Sequence, residues 1–416
     1  MFSLLNRPPC AAGITLAASL WLAVPHTFAD PLPSYEVLIE QIGQTPFSQE
    51  AVARYDAAEA RVMQASLRPN PSLTVETENA YGSGPYSGLG RADSTVSISQ
   101  PLEIWGQREA RIGAARADAD VAALRREQTD KAVAARIALA YADAEAALLR
   151  HGLAQEALAL TRQEADAARS LVDEGRTPRL RLIQAESEVA SAQAQQVEAQ
   201  ANRDAALARL SALVSLDKAA SSIPYSLLDR LPQSIRPVHP DPLPVRVAQA
   251  ERDAARQLVT VEKTRGRPDL SATLGVRRFE ETGDRAFSLG INLSIPLFDR
   301  NQGAIRAAEA EQRAAEARLR ASRLEALAEH QAAQASLTAS DSWTTATLTG
   351  MSAAEEAYRM ARIGFEAGRL SQLELRSART ALIAARYATI DARYARVRAE
   401  VELARLEGRI PFRKAP

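Results

Sequence analysis

Metal-binding and nucleophilic side chains are scarce in this chain. Its 416 residues include four His and one Cys. His151, His239 and His330 stand far apart, in neither an H-E-x-x-H nor an H-x-x-x-H spacing. No glycine-rich phosphate loop and no G-x-S-x-G elbow is present. The residues therefore predict no catalytic site, no cofactor site and no tight metal site. Glu309/Arg313 and Glu316/Arg320 lie at i,i+4 and read as helix support. Formal net charge is zero, so no attraction to nucleic acid or acidic lipid is implied.

More telling are two related glycine segments. Asp173-Glu174-Gly175-Arg176-Thr177-Pro178-Arg179-Leu180-Arg181 matches Glu366-Ala367-Gly368-Arg369-Leu370-Ser371-Gln372-Leu373-Glu374. Each reads as a helix C-cap glycine followed by a new helix. Six residues after the glycine stands Arg181 in one copy and Glu374 in the other. If the helices form a tube, Gly175, Gly368, Arg181 and Glu374 ring its mouth, and Arg181 and Glu374 could pair.

The match is one part of a repeat of about 195 residues. Arg68-Pro69-Asn70-Pro71-Ser72-Leu73 returns as Arg267-Pro268-Asp269-Leu270-Ser271. Ser99-Gln100-Pro101-Leu102 returns as Ser294-Ile295-Pro296-Leu297. Each copy reads strand, turn, strand, very long helix, glycine turn, second helix. Hydrophobic residues make up 46% but aromatics only 5%, because Ala dominates, as in long, closely packed helices.

Trp105 to about Val172 contains no Pro and only Gly106, Gly113 and Gly152. That predicts a helix of about 100 Å, matched in the second copy by Asn301 to about Phe365. Helices are also predicted over Ser34–Leu67, Pro178–Leu216, Val245–Gly266 and Ser371–Leu406. Stacked in pairs, these four give tracks as long as the two long helices. The tracks break at mid-height, beside the proline-crowded segment 217–244.

Strands are predicted at Leu73–Asn79, Ser94–Leu102, Leu270–Phe279 and Ala286–Leu297. Each is about ten residues, the length a tilted strand needs to cross a bilayer. Four strands cannot close, and open edges do not exist in lipid, so several chains must pool strands. Polar alternates, Glu76, Glu78, Arg277 and Asn292 among them, then face a wet lumen. The alternative is a small sandwich-like cap on a coiled coil.

Residues 1–29 read as a signal peptide: Arg7, an apolar run over Ala11–Val24, and small residues before a cut after Ala29. Cys10 precedes the apolar run, so lipidation is not expected. The expected organisation is a first repeat over 30–216 with hairpin 72–103, a linking segment 217–244, a second repeat over 245–408 with hairpin 269–297, and a tail 409–416.

The duplicated plan, the glycine-turn element and Ser99-Gln100-Pro101-Leu102-Glu103-Ile104-Trp105-Gly106-Gln107-Arg108 resemble the TolC-type outer-membrane efflux factors. Continuing into Glu109-Ala110-Arg111, the stretch most resembles their cobalt-zinc-cadmium (Czc-type) heavy-metal branch. The resemblance implies a mainly α fold with a small β part. It implies a homotrimer with a 12-stranded barrel in outer-membrane lipid, continuous with a helical barrel in the periplasm. It also implies a periplasmic membrane-fusion adaptor and an inner-membrane RND pump as partners, and a passive duct for divalent heavy-metal cations. Drug or protein export by the same channel, and a coiled-coil protein without a pore, are the alternatives. In that family an acid often stands six after each glycine; Arg181 departs from this, and a ring of both signs filters cations less strongly.

Overall fold

The computed structural model describes residues 32–216, 222–230 and 241–412. The expected signal peptide lies outside the described residues, as do parts of the proline-rich segment and the tail.

Two helices run the length of the molecule. Helix α3 spans Gln107–Asp173 and α6 spans Gln302–Glu366, each about 100 Å. Their alanine-rich, proline-free sequence runs through interior glycines and stops where Gly175 and Gly368 turn to positive φ. Both begin after a residue at positive φ, Gly106 at 82° and Asn301 at 60°.

The shorter helices are α1 (Tyr35–Glu40), α2 (Pro46–Ser66), α4 (Arg179–Leu213), α5 (Leu243–Arg265) and α7 (Gln372–Leu406). The single helix expected over Ser34–Leu67 is broken. A short 3-10 turn over Ile42–Gln44 separates α1 from α2. Pro46 supplies no N–H to continue a helix. It sits in the first turn of α2, and Thr45 caps that helix by accepting from the Ser48 N–H.

The strands are β1 (Ser72–Glu78), β2 (Asp93–Leu102), β3 (Asp269–Phe279) and β4 (Arg285–Ser294). They form one antiparallel sheet in the order β1-β2-β3-β4, leaving β1 and β4 as free edges. Strand β4 stops before Pro296, which has no N–H for a ladder.

Near the sheet the helices pack in the order α2-α3-α5-α6, and near the glycine turns α4-α3-α7-α6. So α3 is always internal and α6 always an edge. The largest core lies at mid-height, where α1, the middle of α3, the ends of α4 and α7, and residues 222–230 converge. Tyr35 packs edge-on against Tyr141 and Phe412 there, with centroids 5.9 and 6.0 Å away.

Candidate functional site

Register divides the sheet into two unlike faces. One carries Ser72, Thr74, Glu76 and Glu78 of β1. Opposite them on β2 stand Ser99, Ser97, Thr95 and Asp93. The same face continues through Thr273, Gly275 and Arg277 to Gly290, Ser288 and Ala286, with Ser271 opposite Asn292. Glu76, Glu78, Arg277 and Asn292 therefore share one polar face. Gly275 is required on it: a Cβ there would lie 2.7 Å from Ser288 Oγ and 3.1 Å from Ser97 Cβ.

The opposite face is apolar. It presents Leu73 and Val75, Val96 and Ile98, Leu274 and Val276, then Phe287, Leu289, Ile291 and Leu293. In the single chain Phe287, Leu289 and Ile291 are 83%, 83% and 76% exposed. Burying a large apolar side chain is worth about 1.5–3 kcal/mol. Ten of them left bare on one face mark a surface made for an apolar solvent or partner.

At the other end of the helices, Gly175 and Gly368 take φ of +70° and +69°. Each closes a Schellman cap. The Gly175 N–H donates to Val172 O and the Arg176 N–H to Leu171 O; the Gly368 N–H donates to Phe365 O and the Arg369 N–H to Gly364 O. Leu370 packs closely over Gly364, where a Cβ would meet its side chain at 2.7 Å.

Beyond the caps the repeats diverge. Ser371 and Glu374 form a capping box: the Glu374 N–H donates to Ser371 Oγ, and the Ser371 N–H donates to Glu374 Oε2 at 2.7 Å. These bonds hold the Glu374 carboxyl below the usual carboxylate range. In the first repeat Pro178 stands at the cap and offers no side-chain acceptor. Arg181 Nη1 donates instead to Gln372 Oε1 at 3.2 Å. Within one chain the structure brings Arg181 to the start of α7, and its bond there is to Gln372. Glu374 is engaged by its own helix cap.

About two helical turns from these glycine turns lies a charged layer that sequence reasoning missed. Arg379 of α7, 8% exposed, pairs with Glu164 of α3 at 2.6 Å and Glu188 of α4 at 3.3 Å, while Arg376 also pairs with Glu188. Burial raises the Glu164 carboxyl, and Arg379 and Arg376 offset part of that. A cleft of about 240 Å³ between this layer and Ser371 is lined by Arg181, Gln372 and Glu188. The partners are up to 215 residues apart, so no local pattern could reveal them.

A family model described as outer membrane efflux protein matches residues 44–215 and 241–409. The chain belongs to the outer membrane efflux protein family.

Two curated relatives are each 40% identical. The nickel-cobalt-cadmium resistance protein NccC of Alcaligenes xylosoxydans xylosoxydans aligns over 308 residues, 73% of this chain and 69% of its own. The nickel and cobalt resistance protein CnrC of Cupriavidus metallidurans aligns over 300 residues, 70% and 71%. Among solved structures, a CusC channel superposes with a TM-score of 0.78 at 18% identity, covering 90% of this chain and 92% of that one. The fold is thus that of the TolC-like channels. This efflux protein is an outer-membrane protein whose helices extend into the periplasm.

Among the described residues the efflux protein's histidines, His151 and His330, are not gathered. Burial and the nearby Arg203 guanidinium push His151 down, and His330 faces Glu407 at 3.5 Å. His239 lies outside the described residues. Among the described residues no group of three or more His, Cys, Asp or Glu is placed to hold a metal ion.

At mid-height Glu145 ties the linking segment to α3. It accepts from the Leu227 N–H at 2.8 Å and the Leu228 N–H at 3.3 Å, and bonds Ser226 Oγ. Burial raises its carboxyl above the ordinary value, and those hydrogen bonds pull the other way. Tyr141 Oη donates to Tyr225 O nearby at 2.7 Å.

Proposed function

We propose that three copies of this chain form the outer-membrane exit duct of a tripartite metal-efflux system. The observation that carries this reading is the sheet: four strands, two free edges, one polar face, and an apolar face left bare. Lipid forbids open edges, and single-chain barrels begin at eight strands. Edge-to-edge pairing of β4 with the next copy's β1 closes twelve strands and turns the polar face inward. The free edge helix α6 supports the same arrangement, since a second copy would cover it.

In this reading repeats 30–216 and 245–408 each give one hairpin and one full-length helix. Glu76, Glu78, Arg277 and Asn292 line the barrel lumen. Gly175, Gly368, Arg181 and Glu374 surround the periplasmic mouth, where an adaptor docks and an RND pump delivers cargo. The chain catalyses nothing. The cargo is a divalent heavy-metal cation, supported by two 40%-identical relatives named for nickel and cobalt resistance.

The test is a deletion strain complemented with this chain. Restored growth on nickel or cobalt, with lower cell metal, is the expected outcome. Restored resistance to drugs but not metals overturns the cargo assignment. Cross-linking in mild detergent that yields monomer alone overturns the duct.

A further inference from the structure

The hairpin end of the polar face holds three acids close together: Glu76 and Glu78 of β1 and Asp93 of β2. Among the strand residues of that face one base answers them, Arg277 of β3. Its Nη2 bonds Asp93 Oδ2 at 2.9 Å and also pairs with Glu78. Two carboxylates from neighbouring strands thus converge on one guanidinium nitrogen. Asn79 Nδ2 adds a bond to Asp93 Oδ2 at 3.1 Å. The guanidinium carbon sits 5.6 Å from the Phe279 ring centroid, within reach of a cation–π contact.

Converging carboxylates are what a divalent cation seeks. A duct for such cations gains nothing from a resting place at its exit. Conduction needs binding weak enough to let the ion leave. A resident guanidinium satisfies both carboxylates at a fixed geometry and cannot lose its charge.

We propose that Arg277 is the built-in counter-cation of the outer mouth, occupying the seat that Glu78 and Asp93 would otherwise offer to the exported divalent metal. It is a specificity-determining residue: it keeps the mouth from trapping cargo and sets how strongly the mouth favours cations. The cargo and lumen in this statement rest on the proposed duct. The carboxylate–guanidinium geometry does not.

The experiment has two arms. In planar bilayers with potassium chloride, wild-type current should be insensitive to added cobalt chloride. Arg277→Gln should shift the reversal potential toward cations and be reversibly blocked by cobalt at about 0.1–1 mM, the range of weak carboxylate sites. Arg277→Lys should show block intermediate between the two, because it keeps the charge but carries it on a flexible stem without the rigid planar guanidinium. Adding Asp93→Asn to Arg277→Gln should abolish the block.

In the second arm, calorimetry in detergent should show about one cobalt site per chain in Arg277→Gln and none from this cluster in wild type. This arm needs no pore. If wild type carries no current, the duct reading falls while the calorimetry still decides the role of Arg277. Equal cobalt responses of wild type and Arg277→Gln in calorimetry overturn the proposal, and so does an unchanged reversal potential with no cobalt block.

Discussion

Helices α3 and α6 hold equivalent places in the two repeats and are nearly the same length, yet they live in different surroundings. Helix α3 has 22 buried residues among its 67; α6 has six among its 65. The difference follows from position. In both halves of the helical region α3 has neighbours on two sides, whereas α6 is at the edge. Leu324, Leu327, Met360 and Ile363 are left exposed on α6. A duplicated sequence has thus been divided into one central helix and one edge helix, which in the proposed trimer meets the next copy.

The largest test of this contrast removes Arg379. Its loss leaves Glu164 of α3 without its closest partner and Glu188 of α4 with Arg376 alone, both half-buried. Arg379→Ala should cost about 3 kcal/mol, the low end for breaking buried ion pairs. By contrast, the exposed 3.8 Å pair of Arg405 with Glu329 on α6 should cost under about 1 kcal/mol when broken by Glu329→Ala. Denaturant melts of both variants measure the gap. Equal losses would erase the distinction between centre and edge.

Next comes apolar truncation. Ile137 of α3 is fully buried at mid-height, so Ile137→Ala should cost about 2–5 kcal/mol. Leu327→Ala on α6 should leave the protomer's secondary structure unchanged by circular dichroism and weaken assembly, read by cross-linking yield. Intact assembly would mean that this part of α6 faces water.

A smaller effect concerns Glu145 and pH. Because burial raises its folded carboxyl above the unfolded value, the folded state holds the proton more tightly. The stability this contributes is fully present below the unfolded value of about 4.3 and is lost as pH rises through the folded one. Glu145→Gln removes the titration. Wild type should therefore gain on Glu145→Gln as pH falls from 7 toward 4.5, measured by paired melts. A gap independent of pH would show that the N–H bonds from Leu227 and Leu228 cancel the burial.

The smallest test compares glycines. Gly152 of α3 is exposed, with nothing within 4 Å of an added Cβ. Gly152→Ala should gain about 0.5–1 kcal/mol. Gly364→Ala should lose stability, because its Cβ would displace Leu370 beneath the glycine turn. A stabilised Gly364→Ala would mean that Leu370 moves aside freely.

Much of the fold was readable along the chain because its signals are local. Proline-free alanine runs, glycine caps and alternating strands each act over a few residues. The four strands and both long helices begin and end within about three residues of their expected limits, the ordinary uncertainty of helix and strand ends. The break at Thr45-Pro46 was also visible in the residues, but the flanking helical pattern on both sides hid it.

The glycine-turn end was less readable. Arg181 and Glu374 are equivalent by position, yet Ser371 captures Glu374 through a local cap, while Arg181, which has no acceptor and follows Pro178, donates to Gln372. Equivalent numbering does not carry equivalent bonding when the capping residue differs.

The sequence alone determined the duplicated plan, the two long helices, the two-faced strands and the family, because all of these are periodic or contiguous. Only the tertiary structure decided which of two similar helices is buried. It also decided that Glu164 and Glu188 share Arg379, and that Glu78 and Asp93 share Arg277. Those choices join residues 184 to 215 positions apart for the most part, and they arise when strands pair in register and helices take their places in the layer. Burial and charge pairing are properties of that arrangement, which no stretch of chain carries by itself.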